Sequence, residues 1–488
     1  MRDSLDVAAA EAAQLKHEVR SAVRWSAINS LFSRVSQVGV GIILARLIAP
    51  DQFGVYAAAL VVLNIVISVS EMGVSVALVR AKEEDVARIA PTVSTLSIAS
   101  GTLLALLCAI GAPWFAHALN APAATSLIRV MSLALIVAGA SATPAAFLQR
   151  EFRQDHKLVA DMASFFIGTA IAIGMAFAGF GAMSLAWSRV ATNVTGAAIM
   201  FALTKQRYRP GFDRKEAKAL LAFGLPLAGS SLLVFAVLNV DYIVVGSVLG
   251  PLALGLYLLA FNLSSWPVGA FSMPVRSVSL PAFSRLREEP ERFRKAFQRG
   301  LQLLALFTVP ACVLLGAFGR PLVRFVYGPR WGQAASVLAL LAALAAVRVA
   351  LELAYDCLAS AGRSRSILYI HALWLAALVP ALTIGAHLDG IRGVGIGHVL
   401  VVFCLVVPAY LAALRPFGLR AGELGVSLVR PLLGGAAMTA VAWGVQRSVN
   451  GEFLQLAIGG TLACAAYGIA VLPLRQEALA VLRRTAVD

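Results

Sequence analysis

NVDYIVVGSVLGPLALGLYLLAFNLSSWP, residues Asn239–Pro267, holds two apolar runs joined by Gly250-Pro251. A Gly-Pro pair punctuates a helical pattern, since proline lacks the N–H and clashes with the preceding turn. The stretch therefore reads as helix, tight turn, helix. Its oddity is Asn239 and Asp241, polar groups placed inside the first apolar run. What they mean depends on the surroundings of that run.

The surroundings are apolar almost throughout. The chain has 488 residues, 59% hydrophobic and 14% charged, with mean hydropathy +0.82. Soluble domains carry about 25% charged residues, so the composition excludes an ordinary soluble domain and indicates a polytopic membrane protein. Runs of about 20 apolar residues cross a bilayer core. On that measure about fourteen spans are expected: near 23–47, 53–79, 91–113, 125–148, 157–179, 182–204, 223–249, 252–275, 297–319, 333–357, 366–387, 392–414, 427–447 and 453–473. The expected fold class is all-α.

The net charge of +16 raises nucleic acid as a partner. The basic residues instead fall in short loops between apolar runs, which argues against that class. Only Arg46, Arg320, Arg324, Arg330, Arg392 and Arg447 lie on one side of the expected topology. The other side holds the rest of the loop and tail Lys and Arg, in stretches such as KQRYRPGFDRKEAK (205–218). The positive-inside rule makes that side cytoplasmic, with both termini there. The segment 1–22 is polar and without an apolar run ending in a cleavage site, so no cleaved signal peptide is expected. In Phe283–Arg299, Glu288 with Arg292 and Glu291 with Lys295 have helix-pair spacing. A short basic amphipathic helix is expected there, either touching anionic lipid or simply solvated.

The opening stretch also belongs to a repeat. PLALGLY (Pro251–Tyr257) and PDQFGVY (Pro50–Tyr56) both read P-x-x-x-G-x-Y. GAMSLAW (Gly181–Trp187) is echoed by GVGIGHV (Gly393–Val399). Six expected spans separate the copies. That gives two six-helix lobes of like topology, related by a pseudo-two-fold along the membrane normal, and two extra helices. The expected organisation is a cytoplasmic segment 1–22, an N-lobe 23–204, a cytoplasmic linker 205–222, a C-lobe 223–414, helices at 427–473 and a cytoplasmic tail 474–488.

A charge at the bilayer centre costs roughly 2.5–3.5 kcal/mol even on the mild insertion scale. Charges kept there should face water or a partner. The candidates are Arg34, Arg189, Asp241, and Arg348 with Glu352 four residues on. Arg129, Asp161, Glu71, Asp356, His371 and His398 lie nearer span ends. Arg34 and Arg189 have no acid nearby in sequence, and a guanidinium fork matches phosphate oxygens. Arg34, Arg189 and Arg348 are therefore the candidates for binding a pyrophosphate. Arg348 and Glu352 share a helix face and could simply neutralise each other. Asp241 could pair with an arginine, bind a coupling ion, or hold structure with Asn239. Glu352 and Asp241 are the groups whose protonation could couple to a gradient.

Other chemistry is not indicated. The five cysteines, Cys108, Cys312, Cys357, Cys404 and Cys464, lack metal-ligand or disulfide spacing and read as small packing residues. No G-x-x-x-x-G-K-[ST] loop is present, and no catalytic constellation stands outside the spans. Neither an enzyme, a cofactor nor a metal is expected.

Several segments resemble one family. FGLPLAGSSLL (Phe223–Leu233), the opening stretch, and LPAFSRLREEPERFRKAF (Leu280–Phe297) are similar to the seventh helix through the loop before the ninth in polysaccharide flippases. SEMGVSVALVR (Ser70–Arg80) resembles their helix 2 ending, and VYGPRWGQAASVL (Val326–Leu338) their segment before helix 10. The likeness is greatest to the lipopolysaccharide/colanic-acid exporter branch of the polysaccharide transporter family. Its superfamily also holds multidrug (MATE) transporters and lipid II flippases. The resemblance implies a translocase for undecaprenyl-pyrophosphate-linked oligosaccharide, working by alternating access in a bacterial cytoplasmic membrane. Implied partners are that lipid, membrane lipid, a coupling ion (H+ or Na+) and the polysaccharide polymerase and export machinery. Asp241 matches the Asp of the family's N-x-D segment, but Leu238 stands where a basic residue is frequent. An ion-coupled drug antiporter or a lipid II-type flippase is the alternative. The mid-span arginines argue against a cation-accepting cavity.

Overall fold

A computed structural model describes residues 36, 38–70, 77–79, 81–151, 153–204, 208–286 and 289–472. Among these residues there is helix and no strand. In a bilayer every backbone polar group must be satisfied by the protein itself, and a helix does this within its own segment. Ten helical segments among them are long and apolar enough to cross a membrane, so the chain is a multi-pass membrane protein. Two of the ten fold back on themselves, at Gly250 and at Asp389–Gly390. The first expected span is described only from its later part.

The helices are α1 (Val38–Leu47), α2 (Pro50–Ser70), α3 (Glu83–Ala118), α4 (Ala124–Arg150), α5 (Gln154–Phe177) and α6 (Ala182–Leu203). The run Arg214–Arg285 breaks at Gly250, where φ is +79° and ψ −173°; its arms 214–249 and 251–285 are α7 and α8. That backbone region is open essentially to glycine alone. Then follow α9 (Pro290–Ala317), a short α10 (Gly319–Val326) and α11 (Ala334–Ser360). The run Ser364–Val401 breaks at Asp389 and Gly390, giving α12 (364–388) and α13 (391–414). α13 contains a π-helical turn at Val402–Val406. α14 (Ala421–Ser448) and α15 (Glu452–Val471) complete the order.

Helices overrun the expected spans at their polar ends. α3 is 36 residues long, because its first turns, EEDVAR, are helix-forming but not apolar. The expected amphipathic helix over Phe283–Arg299 is not a separate element: α8 ends at Arg285 and α9 starts at Pro290, a residue that favours a first turn. Glu291 pairs with Arg294 rather than Lys295, and Arg292 pairs with Glu289. Glu288 lies outside the described residues.

The chain divides into two compact units. One runs to Asn239 and takes in Gly250–Leu252; the other holds Val240–Leu249 and runs on from Ala253. In the first, α3 packs along α4, α5 along α6, and α4 also meets α2 and α6. Close approach is set by glycine: a Cβ on Gly101 would sit 2.6 Å from Leu135 O, and one on Gly139 2.3 Å from Ser97 O. In the second unit, α9 meets α11 and α14, and α14 packs on α15.

The repeat extends beyond its motifs. α4 and α11 bury the same positions in the same order: Leu127, Ile128, Met131 and Leu135 in one, Val337, Leu338, Leu341 and Ala345 in the other. On that register Ala138, Ala142 and Ala146 stand where Arg348, Glu352 and Asp356 stand. The second echo needs a shift of three residues. Gly181 (φ +53°, ψ −128°) has its conformational counterpart in Gly390 (φ +54°, ψ −139°), not Gly393. Gly393 serves a different need, because a Cβ there would lie 1.9 Å from Gly385 O. With the register corrected, Arg189 of α6 corresponds to His398 of α13.

Candidate functional site: charges inside the spans

In the first unit, the repeat motif itself positions Arg189. Gln52 of PDQFGVY accepts a hydrogen bond from the backbone N–H of Ala182 through Oε1, at 3.1 Å. This satisfies one orphan donor at the start of α6. Gly181, just before it, has φ +53°, and a Cβ there would lie 1.8 Å from Gln52 Oε1 and push that side chain off its hydrogen bond. Two turns along α6 stands Arg189, half-buried. Its Nε is covered and without a hydrogen-bond partner, and the guanidinium acts electrostatically on Tyr56, the tyrosine of the motif. Around it α5 and α6 are knit by Ser188 Oγ donating to Gly168 O at 2.7 Å. Arg34 lies outside the described residues, as does Glu71.

In the second unit, Asp241 on α7 is 2% exposed. Its Oδ2 accepts from the phenol of Tyr257 at 2.9 Å, and its Oδ1 accepts from the backbone N–H of Tyr242 at 3.0 Å. Tyr257 is the tyrosine of PLALGLY. The motif's tyrosine thus meets a cation in one unit and a carboxylate in the other. Tyr242, Tyr257 and Phe261 pack edge to face around the carboxylate, with centroids 5.9 Å apart for Tyr242–Tyr257 and 5.2 Å for Tyr242–Phe261. Asn239, on the same arm as Asp241, is half-buried and has a contact of its own.

α11 carries the other charges. Arg348 Nε lies 3.7 Å from Glu352 Oε1, with side chains 34% and 25% exposed. The expected helix-face pair is therefore formed, loosely. Arg348 also acts electrostatically on Asp241, Tyr242 and His398. His398 is buried, and its Nδ1 has no partner. One turn past Glu352, Asp356 is 1% exposed and accepts a hydrogen bond from Ser279 Oγ of α8 at 2.8 Å. Arg129, nearer a helix end, reaches Ala109 O at 3.4 Å.

Of the six candidate residues, Asp241, Arg348 and Glu352 thus share the second unit, while Arg189 stands in the first. The tyrosine that holds Asp241 was not singled out from the sequence, although it closes the repeat motif. His398 stands in the sequence only as one of several polar groups nearer span ends. Only the corrected register shows that it occupies the place of Arg189. No group of three or more His, Cys, Asp or Glu among the described residues could hold a metal.

Residues 43–336 match the family described as polysaccharide biosynthesis protein. The chain is 24% identical over 408 residues to the lipopolysaccharide biosynthesis protein WzxC of Escherichia coli (strain K12), with 82% of each chain covered. It is 25% identical over 420 residues to the teichuronic acid biosynthesis protein TuaB of Bacillus subtilis (strain 168), covering 84% of this chain and 85% of that one. Its fold is similar to that of the lipid II flippase MurJ in an inward closed conformation, with a TM-score of 0.75 at 15% identity, over 93% of this chain and 99% of that chain. With more than half of its length matched by the family, this chain belongs to the polysaccharide biosynthesis proteins.

Proposed function

We propose that the protein is a flippase that moves undecaprenyl-pyrophosphate-linked oligosaccharide across a bacterial cytoplasmic membrane by alternating access, with both termini cytoplasmic. The observation that carries this reading is the Arg348–Glu352 pair. It sits well inside α11, yet its side chains are 34% and 25% exposed. A charged pair cannot stay open to hydrocarbon at that depth, so its open side faces water. A water-filled, arginine-bearing face within the spans suits a pyrophosphate in transit, while the polyprenyl tail stays in lipid. The names of the relatives, which act in lipopolysaccharide and teichuronic acid biosynthesis, support a polysaccharide precursor as cargo.

Arg189 is the phosphate-facing candidate of the first unit, and its unpartnered Nε is a donor that an anion would satisfy. Arg34 is kept as a third. Energy for net export would come from an ion gradient, the membrane potential, or removal of product, with Glu352 and Asp241 as the groups that would exchange a coupling proton or Na+. The chain acts as a carrier, with the polysaccharide polymerase and export machinery downstream.

The test is a flipping assay in proteoliposomes with a fluorescent undecaprenyl-pyrophosphate oligosaccharide and a membrane-impermeant quencher. With the probe added to the outer leaflet, wild type should bring about half of it under protection, and protein-free vesicles none. Arg348→Ala and Arg189→Ala should slow flipping by about tenfold or more each, the loss expected when one charge-assisted hydrogen bond goes. Wild type that leaves the probe unmoved and exports cationic dyes instead would overturn the proposal in favour of an antiporter.

A further inference from the structure

The face of α11 that bears Arg348 and Glu352 continues inward. Tyr355 lies seven residues past Arg348, so the three share one helix face. Its ring meets the imidazole of His371 on α12 edge to face, with centroids 6.0 Å apart and planes at 84°. His371 in turn meets the indole of Trp374, one turn on, at 6.1 Å and 41°. Tyr410 on α13 lies near the group: it is buried and feels the phenol of Tyr355 electrostatically. Two helices therefore bring together three aromatic rings that are each only half-buried, with the buried Tyr410 of a third helix near them.

Two features distinguish this group from plain packing. His371 spends Nδ1 on Ile367 O at 2.9 Å, which fixes the ring and leaves Nε2 for another partner. Trp374 keeps its indole N–H covered and without any acceptor, a donor that a well-packed core normally satisfies. An interfacial belt would instead point that N–H to the headgroups.

We propose that Tyr355, His371 and Trp374 form a sugar-binding subsite, next to the Arg348–Glu352 pair, that recognises the oligosaccharide of the transported lipid. Half-open aromatic faces stack against the C–H faces of a pyranose ring, the imidazole Nε2 supplies an acceptor for its hydroxyls, and a turn of the indole would bring its unspent N–H to bear as a donor. By helix rise, the subsite lies about 10 Å inward of Arg348, a spacing that lets one sugar and one pyrophosphate be held together. This rests on the flippase reading and adds to it the feature that would separate a sugar-bearing from a bare lipid.

The test compares two probes on the full chain in nanodiscs: undecaprenyl pyrophosphate, and the same lipid bearing the oligosaccharide extracted from the producing cells. Wild type should bind the sugar-bearing lipid about tenfold more tightly than the bare one. Trp374→Leu and Tyr355→Leu should erase that difference without weakening the bare lipid. Tyr355→Phe, which keeps the ring, should preserve most of it. Equal loss for both probes would mark a merely structural cluster and overturn the subsite. Equal wild-type affinity for the two probes would also overturn it, while leaving the flippase standing. Binding of neither probe would overturn both.

Discussion

Replacing Tyr257 with phenylalanine removes one atom from the network around Asp241. The lost phenol donates to Oδ2 at 2.9 Å, and the carboxylate is 2% exposed, so water does not take its place. What remains on the side chain is the N–H of Tyr242 at 3.0 Å. A hydrogen bond to an ionised group contributes about 1.5–3 kcal/mol, whereas neutral pairs between membrane helices average only about 0.6 kcal/mol. The coupling energy from a double-mutant cycle over Tyr257→Phe and Asp241→Asn therefore reports the state of the carboxyl group. A value near 2 kcal/mol is expected, because both carboxyl oxygens accept, Oδ2 from the Tyr257 phenol and Oδ1 from the Tyr242 N–H, which is the pattern of an ionised, acceptor-only group. The assay is reversible unfolding in mixed SDS micelles, followed by far-UV circular dichroism. A coupling near 0.6 kcal/mol would mean that the group is neutral. A coupling within error of zero would refute the argument that the repeat's tyrosine holds Asp241 in place.

Two further outcomes follow from close contacts in the first unit. A Cβ at Gly54 would sit 1.6 Å from Pro251 O, a backbone atom that cannot swing away, whereas Gly444 faces open space. Gly54→Ala should therefore abolish or sharply reduce the folded yield by size-exclusion chromatography, while Gly444→Ala leaves it unchanged. Arg150 at the end of α4 donates to Leu78 O, Val79 O and Ala81 O and reaches Glu83 at 2.6 Å. Arg150→Ala should destabilise by about 2 kcal/mol, and Arg150→Lys should not rescue it, because an ammonium lacks the fork that spans several carbonyls. Glu83→Gln should change little, since that carboxylate is 81% exposed.

The membrane class and the two breaks at Gly250 and Asp389–Gly390 were legible because bilayers demand long apolar runs and glycine marks their turns. Helix ends were not, since EEDVAR at the start of α3 or PERFRK at the start of α9 is helical without being apolar. The Arg348–Glu352 pair could be read because both partners sit on one helix. The Asp241–Tyr257 bond joins residues across a turn, and the sequence left three roles for the carboxylate open. The correspondence of Arg189 with His398 was hidden by a glycine, Gly393, placed near enough to the true counterpart to suggest the wrong register. The aromatic group at Tyr355 spans two helices and has no linear signature at all.

The like burial of α4 and α11 amounts to an alanine scan that the protein has already performed on itself. α4 carries Ala138, Ala142 and Ala146 along one face; α11 carries Arg348, Glu352 and Asp356 at the same positions. The first copy demonstrates that this shape can be reached with no ionised group on that face. Helix packing of this kind therefore does not by itself call for charges at these positions. Asp356, 1% exposed, carries a desolvation cost that Ala146 avoids at the same position, so the packing of this helix face is reached in the first copy without it.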